Sequence, residues 1–124
     1  MTATVSTPVL AQWFSYMDSD DPDRVLTMIS DDFVMSVLFS KGGGESAEFV
    51  GDREGLVGYL AQREKSTLVH HIDNGAVVDG VEVVLGRTTR AGAFEATFNA
   101  SAQVTADGKV RRVLMARTTE VAFD

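Results

Sequence analysis

Two histidines occur in the chain, and they are neighbours: His70 and His71, in the stretch LVHHIDNG (68–75). Imidazole is the side chain best suited to take and return a proton near neutral pH, and its neutral form also ligates metals. The surrounding residues read as a β-strand, where consecutive side chains point to opposite faces. His70 and His71 therefore cannot grip one ion together, and no spacing of Asp, Glu or His elsewhere completes a metal site. One of the two must face inward. That residue is a candidate acid–base group or hydrogen-bond partner for a ligand oxygen. Its plain reading is a packed histidine bonded to backbone or to Tyr16, and which of the two points inward stays open.

The other candidates are mostly apolar. Tyr16 lies one helical turn beyond Trp13, so its hydroxyl is a second candidate catalytic group, although a tyrosine on such a helix is more often a packing residue with a wet tip. Phe33, Met35, Val37 and Phe39 on one strand, with Phe98, Ala100 and Met115 on later ones, read first as core. Where core and pocket wall are the same surface they would also line a ligand site, together with Trp13, Met17 and Tyr59, and methionine adapts to varied ligand shapes. Arg117 is the remaining polar candidate. With no cysteine, thiolate metal sites and cysteine nucleophiles are excluded. DSDDPD (18–23) fails as a calcium loop, having Asp23 where glycine is needed and Ile29 where a glutamate should close the loop, so helix capping explains it. GGG (42–44) has no phosphate-loop context. No cofactor and no metal are expected.

A net charge of −7 repels phosphate backbones and anionic lipid, so neither nucleic acid nor a membrane is an expected partner. The N-terminus carries no positive residue before its apolar part, and no apolar run approaches the roughly 20 residues of a membrane span. A cytoplasmic protein is the default expectation.

These residues need elements to position them. Thr7–Pro8 starts a first helix, with Leu10, Trp13, Phe14 and Met17 on one stripe. Asp21–Pro22 starts a short second helix carrying Val25, Leu26 and Ile29. FVMSVLFS (33–40) reads as a strand ending in a glycine turn, and a short strand leads to Asp52, the cap of a third helix over DREGLVGYLAQREK. Leu56, Leu60 and either Val57 or Tyr59 form its buried face. Residues 67–74, 81–90, 93–105 and 109–121 read as four long antiparallel strands joined by VDG, RAG and ADG turns. In the third, Phe94, Ala96, Phe98, Ala100, Ala102 and Val104 alternate with Glu95, Thr97, Asn99, Ser101 and Gln103, which gives one apolar row and one polar row that is uncharged beyond Glu95. The expected class is α+β, one domain over residues 1–124, with three N-terminal helices on a curved, mostly antiparallel sheet.

This order, with MDSDDPDRVLTMISDDFVMSV, EFVGDREGLVGYL and the DGKV turn before the last strand, resembles the nuclear transport factor 2-like superfamily and its SnoaL-like, polyketide cyclase-like members. The resemblance implies a cystatin-like cone around a pocket, and homodimers that pair through the outer sheet face, where Thr97, Asn99, Ser101 and Gln103 would lie. Ketosteroid isomerases of this fold would place their tyrosine near Trp13 and their two acids near Val37 and Ala100, none of which matches. Scytalone dehydratases share a W…DS.D..DR pattern, and their strand histidine corresponds to His71, or to His70 with a one-residue slip. They also need a helix-one aspartate, where Ser15 stands, and a second histidine that this chain lacks. Epoxide hydrolases of this fold use an Asp–Arg–Asp set, and the apolar row offers no second acid. The function expected is binding of a small, largely apolar molecule in the cone. The alternatives are an isomerase, cyclase or dehydratase using one pocket histidine as acid/base, or a non-catalytic protein-interaction module.

Overall fold

The computed structural model describes residues 6–62 and 67–123. Helix α1 spans Pro8–Met17 and α2 spans Arg53–Gln62; between them lie β1 (Ile29–Gly42) and β2 (Glu45–Asp52). Four further strands follow: β3 (Leu68–Val78), β4 (Val81–Arg90), β5 (Ala93–Val104) and β6 (Val110–Thr118). They form one six-stranded sheet in the order β2-β1-β6-β5-β4-β3, antiparallel except where β1 runs parallel to β6. The α+β class is as expected, but the three helices are not. Pro22–Thr27 is a 3₁₀ segment, whose i→i+3 bonding suits a single apolar anchor, Val25, better than a full amphipathic face. The last part of the expected third helix, Arg63–Lys65, falls outside the described residues. No described helix is long and apolar enough to cross a membrane.

Local chemistry accounts for the turns. Asp79–Gly80 and Ala91–Gly92 have φ of 50°, 77°, 52° and 82°, the paired positive values of two-residue hairpins whose twist matches that of the strands. Asp52 caps α2 as its position suggests, with Oδ1 accepting the Gly55 N–H at 3.0 Å. Thr7 does not cap α1 through its side chain. That task falls to Glu82 on β4, a buried carboxylate that accepts the N–H groups of Val9 at 3.0 Å and Leu10 at 2.7 Å. A negative charge at a helix N-terminus meets both the unpaired donors and the positive end of the helix dipole. Thr7 is buried instead, against the bare backbone of Gly75, where a Cβ would lie 2.8 Å from its methyl group. This fixes how α1 lies across the sheet.

The core fills the space between α1, α2 and the inner sheet face. Leu10, Val25, Phe33, Leu56, Val84, Phe98 and Val110 are almost wholly enclosed. On α2 the partly buried partner of Leu56 and Leu60 is Tyr59, while Val57 is exposed. Gly86 permits the closest approach. A Cβ there would collide with the His71 carbonyl oxygen and lie 2.7 Å from the tip of the Phe98 ring, so only a bare backbone fits.

Candidate active site

Register decides the histidine question. His70 pairs with Thr88, which is fully buried on the inner face, and His71 pairs with Arg87 on the outer face. His70 is therefore the inward residue. His71 lies on the far side of the sheet, where its Nε2 is 2.9 Å from the Thr89 hydroxyl, and it cannot serve the cavity. Strand alternation is what sends the two side chains to opposite faces.

The His70 ring is held on every side but one. It stacks on Phe14, with centroids 4.6 Å apart and planes at 13°, and meets the Phe98 ring edge-on at 5.3 Å. Its Nδ1 lies 2.9 Å from Oδ1 of Asp18, whose Oδ2 accepts the His70 backbone N–H at 2.7 Å. β3 is an edge strand, so that N–H has no neighbouring strand to bond, and Asp18 satisfies it. A carboxylate only accepts, so a neutral imidazole here carries its proton on Nδ1 and has Nε2 as its bare nitrogen. Nε2 hydrogen-bonds to no described residue. Ser15, where the dehydratase likeness set its aspartate, is exposed; Asp18, which ends α1, is the helix-one carboxylate that reaches the histidine.

His70 opens on a cavity of about 70 Å³. Its walls are Trp13, Phe14 and Met17 from α1, Met35, Val37 and Phe39 from β1, Phe49 from β2, Tyr59 from α2, Leu68 from β3, and Met115 and Arg117 from β6. Small-molecule sites commonly measure about 300–1,000 Å³. The cone is thus mostly filled by its own side chains, including three flexible methionines, Met17, Met35 and Met115. Three expected lining residues, Phe33, Phe98 and Ala100, are buried core outside the cavity wall. Tyr16 is not in the wall either. It is partly buried against the edge of the core, beneath Arg24, whose guanidinium lies 4.5 Å from its ring centroid.

Arg117 supplies the second polar group. The β4–β5 register slips between Thr88 and Thr89, so Glu95 is an extra residue and Phe94 turns to the outer face, half exposed. Such a bulge re-aims a side chain. The Glu95 carboxylate accepts hydrogen bonds from Arg117 and, at 2.8 Å, from Arg90. The Arg90 bond, helped by the charge of Arg117, holds the Glu95 carboxyl below the ordinary carboxylate range against the opposing effect of partial burial. Two buried polar atoms lack partners among the described residues: the Thr88 hydroxyl and Nε of Arg117. No described group of three or more His, Asp or Glu could hold a metal ion.

Asp18, Glu95, Phe14, Phe49 and Leu68 were not foreseen in the site. A signal existed for Asp18: Leu10, Phe14 and Asp18 follow at i, i+4 and i+8 on one helix face.

No family model and no curated protein matches the sequence. Solved structures do match the fold. One, from Agrobacterium tumefaciens and assigned as an isomerase of the SnoaL-like family, aligns at TM-score 0.67 and 11% identity, over 89% of this chain and 94% of that one. A second, assigned as a polyketide cyclase from Sinorhizobium meliloti, aligns at TM-score 0.62 and 17% identity over 87% and 93%. A third, assigned as a ketosteroid isomerase from Kribbella flavida, aligns at TM-score 0.66 and 11% identity over 96% and 80%. The chain has the nuclear transport factor 2-like fold. In that fold the sheet wraps around its helices as a cone, and the His70 cavity is the cone's interior.

Proposed function

We propose that this cone binds a small, largely apolar carbonyl or hydroxy compound and that His70 moves a proton on it. The observation that carries the reading is the Asp18–His70 pair, with a bare Nε2 at an apolar cavity. Asp18 fixes the tautomer and ring orientation, and its charge stabilises the imidazolium that forms when Nε2 takes a proton. The apolar walls exclude water, which strengthens that interaction. The isomerase and cyclase assignments of the similar structures support this class of chemistry. The cavity volume implies a ligand of few atoms, or rotation of Met17, Met35 and Met115 to admit a larger one.

The test compares single variants in α-proton exchange of small aryl and alkyl ketones in D₂O. His70→Ala is expected to abolish catalysed exchange and His71→Ala to leave it intact. Loss in His71→Ala alone would refute the assignment. The small cavity is the one observation favouring a non-catalytic interaction module. Under that reading native mass spectrometry would find no retained ligand and no ketone would bind.

A homodimer through the outer sheet face is a further part of the proposal. Leu38, Val83 and Leu114 expose apolar surface there beside Asn99 and Gln103, while Thr97 is buried in a groove shared with Val121 and Phe123. Leu114→Glu is expected to convert a dimer to a monomer in light-scattering measurements, and an unchanged mass would dismiss this interface.

A further inference from the structure

Arg117 lines the cavity, but its one described partner, Glu95, engages only a terminal nitrogen. Its Nε is buried, with no acceptor among the described residues. A guanidinium presents five donors in a planar fork that matches a carboxylate, and an unsatisfied buried donor is costly to leave so. The remaining cavity walls are nearly all apolar. His70 stands at the other side: β6 and β3 are separated by β5 and β4, three strand spacings, or roughly 14 Å along the sheet. Arg117 and His70 are therefore suited to opposite ends of one bound molecule.

We propose that Arg117 is the anchor for a carboxylate, so that the ligand is a small apolar carboxylic acid whose reacting carbon lies toward His70. Glu95 is the resident stand-in. It neutralises and orients Arg117 while the cavity is empty, and it is itself held by Arg90, so that the guanidinium can turn its free edge to the ligand without leaving the pair. The ammonium of a lysine could not offer this fork. The inference rests on the cavity being a ligand site as proposed, and it names the class of ligand.

Trp13 is the only tryptophan and lies in the cavity wall, so its fluorescence reports binding without a label. Benzoate and 2-naphthoate are titrated against their neutral primary amides, which match them in shape. The wild-type protein is expected to favour each carboxylate by about tenfold or more. Arg117→Met should erase that preference while keeping amide binding. Glu95→Gln, which removes the negative charge beside Arg117 and its repulsion of a second carboxylate, should strengthen carboxylate binding and leave the amides unchanged. If acids and amides bind equally in the wild type, or if Arg117→Met keeps the preference, this inference fails and the cavity reading stands. If neither acid nor amide binds, both fail together.

Discussion

Asp18 grips His70 twice, at the backbone N–H and at the ring, with its two carboxylate oxygens 2.7 and 2.9 Å from their partners. One side chain thereby closes the free edge of β3 and sets the tautomer of the cavity's imidazole. Structural and chemical roles are fused at this contact, which makes its removal informative.

Asp18→Asn keeps the shape but replaces an acceptor that fixes Nδ1–H with a group that can also donate. Catalysed α-deuterium uptake should fall by about 10²–10⁴-fold, the usual worth of a positioned acid–base group, while the thermal transition shifts modestly. An unchanged uptake rate would show that Asp18 is only an edge cap.

Glu82→Ala removes the carboxylate that receives two N–H groups of α1 in a buried setting. A loss of about 2–3 kcal/mol in urea unfolding is expected, because the cap bonds are charge-assisted and cannot be replaced by water. Glu82→Gln should lose less, since an amide oxygen still accepts. Equal stability of Glu82→Ala and wild type would mean that packing alone seats the helix.

Glu95 gives the protein an acid-sensitive point. Its carboxyl is held low in the folded state, chiefly by Arg90, so the linked stability is fully present above the ordinary carboxylate value of 4.5 and is lost as pH falls through the lower, folded value. Arg90 is about half exposed, so screening keeps the contribution to about 1 kcal/mol or less. Denaturation midpoints measured from pH 7 down to 3 should fall more steeply in wild type than in Glu95→Gln. Parallel curves would remove Glu95 from the account.

Much of the fold was legible because it is written in local chemistry. The Asp52 cap, the VDG and RAG hairpins and the alternation in β5 follow from residues adjacent in sequence. Legibility ended where long-range geometry takes over. The alternation of β5 breaks at Glu95, and nothing local announces a bulge that turns Phe94 outward and Glu95 toward Arg117. His70 and His71 are equivalent until the register with Thr88 and Arg87 is known. Glu82 reads as an ordinary strand charge, since its partner helix lies more than 70 residues away. The cavity's small volume depends on how methionine and phenylalanine side chains fill the cone, and composition does not reveal that.

The central claim is that Asp18 presents His70 to the cavity with Nδ1 protonated and Nε2 bare. Long-range ¹H–¹⁵N correlation spectra of the imidazole test it directly, because the two ring nitrogens of each tautomer have distinct shifts. The expected spectrum shows a pyrrole-type Nδ1 and a pyridine-type Nε2 for His70 in the wild type, a loss of that pattern in Asp18→Asn, and movement of Nε2 when a cavity ligand is added. A His70 protonated at Nε2, or one whose signals ignore both Asp18→Asn and the ligand, would contradict the account.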